Sequence, residues 1–283
     1  MRKITGLLFL LSLWACSPAL QEFETDHLLL KLNDQGFITS FYDKDGQQEY
    51  LPDGLTAPLL SVRASDSIYV PTSMSFDENT QMINLGFTGI GTKTSIKLSS
   101  YSTHLKFELA NIEHGDLIEL IIWGPYPTTI NKSIGETVGV VRGETFAMGL
   151  QALNPKTLGG YPWKENDCMP QIDIFENEDL TDLSEDGKRY VLYRVEAAKP
   201  DTFGSTLQAY CRNRDKDRFA ENWGHEQYLI PAYNDGGVIG SKIALFACPV
   251  ENTLDVIGEI EIAENLPHPT IDGVWGKKAA SAS

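Results

Sequence analysis

The sequence predicts an all-β protein, a two-sheet antiparallel β-sandwich with one helix close to its C-terminal end. Three observations predict it. From Asp26 onward the chain is a succession of short apolar or alternating runs, separated by turns rich in Gly, Pro, Asn and Asp. Turn signals recur about every 8–12 residues, the spacing of sandwich strands rather than of alternating strand–helix units. Helical periodicity is almost absent until residue 252.

The elements follow in order. Residues 27–32 (HLLLKL) and 37–43 (FITSFYD) flank Asn33-Asp34-Gln35-Gly36, a turn whose glycine can take positive φ. Asp43-Lys44-Asp45-Gly46 makes the next turn. It lacks the further oxygen ligand and distal Glu of a calcium loop. Strands are expected at 59–64, 67–70, 73–77, 82–88, 94–100, 104–112 and 117–124. Several alternate apolar with polar residues, as in SIKL and LKFEL, so they bury one face. The second half continues with strands at 137–143, 145–153, 171–175, 189–198, 205–213 and 237–249. Two longer segments, 154–170 and 214–236, read as functional loops, and the acidic stretch 176–187 as a solvated hairpin loop. Asn252 offers an N-cap, and Leu254, Ile257 and Ile260 follow at helical spacing up to about Asn265, with Pro267 ending the run. No linker, repeat or low-complexity tract interrupts 26–264. Residues 26–251 therefore read as one sandwich domain, 252–276 as a linker helix and ordered junction, and 277–283 as a loose tail.

Hydrophobic content of 42% and charged content of 22% suit a folded domain with a core. A net charge of −16 argues against a nucleic-acid binder, which needs a basic surface, and fits a neutral or cationic partner or simply a soluble surface. Arg2 and Lys3 precede the apolar run Leu7 to Trp14, which is too short to span a bilayer and suits a signal peptide. Leu13-Trp14-Ala15-Cys16 then resembles a bacterial lipobox. The expectation is a signal peptide over 1–15, lipidation of Cys16, a tether over 16–25 and an exported protein anchored to a membrane. Ser17, not an acid, stands after the cysteine, which favours the outer membrane, at its periplasmic or cell-surface face. Cys168, Cys211 and Cys248 remain. Their spacing matches no zinc pattern, and an odd number leaves at least one free thiol, with the pairing of the others open.

Aromatic residues beside loops are the most informative chemistry. Trp123-Gly124-Pro125-Tyr126-Pro127 ends a strand, Gly160-Tyr161-Pro162-Trp163 closes a loop, and Trp223-Gly224-His225-Glu226 sits between strands. Sugars present C–H faces that stack on Trp or Tyr and hydroxyls that suit planar polar partners, so Trp123, Tyr126, Trp163, Trp223, His225 and Glu226 are candidate carbohydrate contacts. The alternative is that these rings pack beneath long loops. Glu136 and Arg142 join the candidate set, because an even separation puts both on one face of a regular strand; a surface ion pair is the alternative. Carboxylates at Glu136, Glu165, Asp167, Glu226 and Asp235 lie in loops, but the sequence does not say which converge, and no catalytic residue is assigned. Asn234-Asp235-Gly236-Gly237 reads as a turn. There is no phosphate loop, no Gly-x-Ser-x-Gly elbow and no His-Glu-x-x-His pair, and no metal or cofactor is expected.

The segments WGPYPTTINKSIGETVGVVRG, FAMGLQALNPKTLGGYPW, CRNRDKDRFAENWGH, YNDGGVIGSKIALFACPVENTLDVIGEIE and LPHPTIDGVWGK together resemble the N-terminal region of large secreted glycoside-hydrolase-like proteins of polysaccharide-degrading Bacteroidetes-type bacteria. That resemblance spans nearly the whole mature chain. It implies a galactose-mutarotase-like β-supersandwich, followed in such proteins by a linker helix and a (β/α)8 barrel carrying the catalytic acids. The chain stops after KAASAS, where the barrel would begin. The expected function is thus a lipid-anchored, carbohydrate-associated sandwich, the non-catalytic N-terminal domain of a truncated glycoside-hydrolase-like protein, with polysaccharide or oligosaccharide as partner. Two alternatives stand beside it. One is a stand-alone mutarotase- or lyase-type enzyme using His225 with Glu226 or Asp235. The other is a structural partner of a separately encoded catalytic barrel, whose sign would be an apolar patch near Trp275.

Overall fold

A computed structural model of the protein describes residues 20–65, 67–135, 139–160, 205–222 and 225–266. In chain order the strands are β1 (Gln21–Glu24), β2 (Leu28–Leu32), β3 (Phe37–Asp43), β4 (Gln48–Glu49), β5 (Ala57–Pro58), β6 (Leu60–Ala64) and β7 (Ser67–Tyr69). They continue with β8 (Ser73–Asp77), β9 (Met82–Phe87), β10 (Thr92–Ser100), β11 (His104–Ile112), β12 (Leu120–Thr128), β13 (Ser133–Gly135), β14 (Val140–Arg142), β15 (Phe146–Ala152) and β16 (Leu158–Gly159). After these come β17 (Ser205–Arg212), β18 (Arg218–Asn222), β19 (His225–Ile230), β20 (Lys242–Pro249) and the helix α1 (Thr253–Ala263). The all-β, antiparallel, sandwich-like architecture with one C-terminal helix is therefore what the chain adopts. The strands divide into three larger sheets where two were expected. They are an N-terminal sheet ordered β1-β2-β3-β4 with β5 on β3, a large sheet ordered β13-β14-β15-β20-β11-β10-β9-β8, and a second five-stranded sheet ordered β16-β17-β12-β6-β7. β18 and β19 form a separate hairpin.

One core joins the three larger sheets. Leu28, Leu30, Ile38 and Phe41 come from the first, Leu105, Phe107, Leu150 and Leu245 from the large sheet, and Val62, Ile121, Trp123 and Ala209 from the second five-stranded sheet. Register places Leu105 opposite Leu245 and Leu245 opposite Leu150, so one apolar row crosses the centre of the large sheet. The run KIALFACP of β20 lacks polar alternation because both its faces are covered. Ile243, Leu245 and Ala247 enter the shared core, while Ala244, Phe246 and Cys248 pack with Val256 and Ile260 of α1. Phe246 is paired with Gly149. A Cβ at Gly149 would lie only 2.2 Å from the Phe246 ring, so glycine there is what lets the ring lie flat beneath the helix.

The strand assignments agree with the sequence pattern to within a few residues, apart from β20, which begins at Lys242 because residues 237–241, expected in the strand, belong to the preceding loop, and apart from five further corrections. Residues Gln21–Glu24, expected in the tether, form β1; Phe23 is buried and meets Phe76 edge-on at 5.0 Å. The strand expected to end at Gly124 continues to Thr128 through a cis Gly124–Pro125 bond, with a register shift between Trp123 and Tyr126. The segment expected as one strand from Glu136 to Arg142 is part of a hairpin, since Ser133 of β13 pairs with Arg142 of β14. The chain reverses between them, so the parity argument for Glu136 and Arg142 fails. The 214–236 segment contains the β18–β19 hairpin. Finally, α1 is rotated from the expected stripe: Thr253, Val256 and Ile260 are buried, and Leu254 is 79% exposed. Asn252 ends a short 3-10 turn and makes no side-chain cap; instead the Thr253 hydroxyl donates to the Val250 carbonyl at 2.7 Å. The strands expected at 171–175 and 189–198, the acidic loop and the junction beyond 266 lie outside the described residues. Among the described residues no helix is long and apolar enough to cross a membrane.

A buried polar knot ties the end of α1 to β11. Glu264 accepts from Lys106 at 2.5 Å, and its other oxygen lies 3.8 Å from His104 Nε2, too far for a hydrogen bond. The His104 ring stacks on Tyr101 with centroids 4.5 Å apart, and its Nδ1 meets the Thr103 hydroxyl at 3.0 Å. Burial pushes the His104 pKa down, aided by the Lys106 charge and opposed by Glu264.

Two predictions follow from this packing. Gly149→Ala should destabilise the fold by about 1–3 kcal/mol, read as a lower urea midpoint at unchanged m-value, because Phe246 cannot retreat from between sheet and helix. His104 is neutral when folded, where an unfolded imidazole would begin to protonate near pH ~6.5. Its depressed pKa means that its contribution is complete above about pH 6.5 and is lost as pH falls through the folded pKa. Urea midpoints across pH 5–8 should therefore fall more steeply on the acid side for the wild type than for His104→Gln.

Candidate functional site

A cleft of ≈ 600 Å³ opens where the end of β11, the end of β17 and the loop leading into β20 meet. That volume suits a ligand of one to a few rings. It is lined by Ile112 and Asp116 from the end of β11 and the turn after it, by Asn213, Arg214 and Asp215 after β17, and by Tyr233, Asn234, Val238 and Ile239 of the loop before β20.

The 232–241 loop is held at many points. The Tyr233 amide donates to the Arg214 carbonyl at 2.7 Å, and the Ala232 amide to Asp217 Oδ1 at 2.6 Å. Asp235 Oδ1 accepts from the Gly237 amide at 3.1 Å and closes a tight turn. Lys156 reaches beneath the loop and donates to the carbonyls of Asp235 at 2.8 Å and Ile239 at 2.7 Å, with the Asp235 carboxylate 3.8 Å away. At the loop's exit, Asn154 Nδ2 donates to the Gly240 carbonyl at 2.6 Å. The Thr157 hydroxyl donates to Asn154 Oδ1 at 2.7 Å and lies 2.9 Å from the Ser241 hydroxyl, which in turn accepts from the Trp123 indole at 2.9 Å.

The groups left to meet a ligand are distinct from those that hold the loop. The Tyr233 ring is 62% exposed. Arg214 is half-buried, and Asp116 and Asp215 are exposed. Among the described residues none of these three charged side chains has an ion-pair or hydrogen-bond partner. The cleft thus offers a ring face, a planar donor fork and two carboxylate acceptors. Burial pushes the thiols of Cys211, behind the loop, and Cys248, beneath α1, up to about 11, so both stay protonated. Both are free and buried. The described lining therefore presents binding groups and no imidazole or thiolate nucleophile.

The candidate residues named from sequence fall elsewhere or outside this description. Trp123 and Tyr126 have no exposed surface. Trp123 supports the cleft from inside through Ser241, and the Tyr126 hydroxyl donates to the Leu59 carbonyl at 2.6 Å. Neither presents a face to a ligand, which corrects that expectation: the chain continues as a strand past Gly124 and turns both rings into the core. Arg142 is exposed on β14 and donates to the Val250 carbonyl at 3.4 Å, at the end of β20 opposite the cleft, roughly 25 Å away along the strand. Glu136, Trp163, Trp223 and Cys16 lie outside the described residues. His225 and Glu226 begin β19, and only that backbone placement is described. Asp235 is turned into its own turn and toward Lys156. Tyr233, Arg214, Asp215 and Asp116 were not singled out in the sequence. The available signal was an aromatic residue directly before a double-glycine turn, in a segment already read as a functional loop.

No protein-family model matches this chain, and no curated protein is significantly similar to it. The class is defined by architecture and cleft: a sandwich-like all-β protein with an open aromatic and charged cleft at a loop end.

Lys156→Ala should loosen the 235–239 loop specifically, because two carbonyls lose a charged donor worth about 1.5–3 kcal/mol each. Hydrogen exchange at the Gly237 and Ile239 amides should quicken at least about tenfold, while amides in the β11–β20 ladder keep their protection.

Proposed function

We propose that this protein is a carbohydrate-binding β-sandwich, exported and held at a membrane by lipid on Cys16, that takes glycan in the cleft beneath Tyr233. The observation that carries this reading is the exposed Tyr233 ring set beside the uncommitted side chains of Arg214, Asp116 and Asp215. A sugar ring uses that combination directly. Its C–H face stacks on the aromatic ring, and its hydroxyls both donate to carboxylates and accept from a guanidinium. The resemblance to sandwich regions of glycoside-hydrolase-like proteins points to the same ligand class, and the basic start, the apolar run and the lipobox-like Leu13-Trp14-Ala15-Cys16 support export and anchoring. The role is binding rather than catalysis.

The test is titration calorimetry of the wild type and Tyr233→Ala against a panel of oligosaccharides. The wild type should bind at least one of them with a millimolar or tighter Kd. Tyr233→Ala should weaken that binding about tenfold, the loss of one stacking contact of about 1.4 kcal/mol, with an unchanged thermal midpoint. Absence of binding across the panel, or full affinity in the variant, overturns the reading.

A further inference from the structure

We infer that the cleft selects neutral, unsubstituted sugar units and rejects uronates and sulfated sugars; the inference rests on the reading of the cleft as a glycan site. The groups that face a ligand are Asp116, Asp215 and Arg214, two carboxylates against one guanidinium. The Asp235 carboxylate behind them is turned to the Gly237 amide and Lys156, at 3.1 and 3.8 Å, so these two opposite charges offset one another and leave the lining charge as counted. Lys156 also spends its donors on the carbonyls of Asp235 and Ile239.

Among the described lining residues, an anion drawn to Arg214 would therefore meet two like charges and no second cation. The surrounding field has the same sign, since the whole chain carries −16 and repels a polyanion at long range. A neutral diol satisfies all three side chains together. Its hydroxyl protons go to Asp116 and Asp215, its oxygens accept from the Arg214 fork, and the ligand itself brings no charge out of water. Tyr233 suits the same ligand, because it stacks on the C–H face of a sugar without regard to charge.

The experiment uses matched oligosaccharides of equal length and linkage whose units differ only at C6, a hydroxymethyl group in one and a carboxylate in the other. Kd is measured for both members by calorimetry at low ionic strength. For a linkage that the wild type binds, the neutral member should bind at least about tenfold more tightly than the uronate. In Asp116→Asn/Asp215→Asn, whose amides keep an acceptor oxygen but lose both charges, that gap should shrink to less than about threefold. Equal or tighter binding of the uronate by the wild type overturns the inference and leaves the glycan reading standing. An undiminished gap in the double variant overturns the electrostatic origin proposed here. Failure of both members across all linkages overturns the glycan reading itself and this inference with it.

Discussion

A buried hydrogen-bonded chain fixes where the cleft loop leaves the core. The Trp123 indole donates to the Ser241 hydroxyl, and the Thr157 hydroxyl donates to Asn154 Oδ1. The single Thr157 proton is thus spent, so Ser241 must be the donor in its 2.9 Å contact with Thr157. Asn154 then uses its amide to hold the Gly240 carbonyl. The direction is set throughout, from a strand of the second five-stranded sheet, through the residue before β20, to the loop. No other arrangement of these protons satisfies all four groups. Losing one member would leave a buried donor unpaired, at about 1–3 kcal/mol, a large share of what a loop this size can supply.

From that anchor the two cleft walls are joined through Asn213. Its amide donates to the carbonyls of Gly115 at 3.2 Å and Ile118 at 3.0 Å, which positions the turn carrying Asp116. On its other side Gly237 has φ +61, and a Cβ there would lie 2.6 Å from Asn213 Oδ1. Only glycine lets the 232–241 loop come that close. Asp116, Arg214 and Tyr233 therefore sit on three segments whose backbones are already tied together. A ligand would find these backbone segments in place and would have only side chains to order, and that lowers the cost of binding.

The strands were legible because a half-buried strand writes its period of two into the sequence, and β9, β10 and β11 do so plainly. The helix was legible as a helix but its orientation was not. Leu254, Ile257 and Ile260 and the stripe that is buried, Thr253, Val256 and Ile260, share a residue and differ by a small rotation, which only the partner surface of Ala244, Phe246 and Cys248 decides. Trp123 and Tyr126 misled for a related reason. Gly-Pro beside aromatics usually ends a strand, but here Leu207 and Ala209 of β17 keep the pairing going across the bulge and both rings turn inward. Tyr233 stayed hidden because its role depends on Arg214 and Asp116, distant in sequence and brought near by strand pairing that no local pattern encodes.

The large sheet separates His104, whose pKa burial lowers, from the cleft. α1 covers β20 around Ala244, Phe246 and Cys248, and its last residues reach His104 at the start of β11. The cleft uses the other end of β11, at Ile112, roughly 27 Å away at about 3.4 Å per residue. Between the two lies the row of Leu105, Leu245 and Leu150, fully packed and without a polar group that could change its state. Perturbations at such a distance, with no shared partner, add independently. Protonation of His104 would therefore cost folded stability, by burying a charge, without reshaping the cleft. It should act on this protein through the fraction that is folded, and leave the geometry of the cleft as it is until the sheet itself gives way.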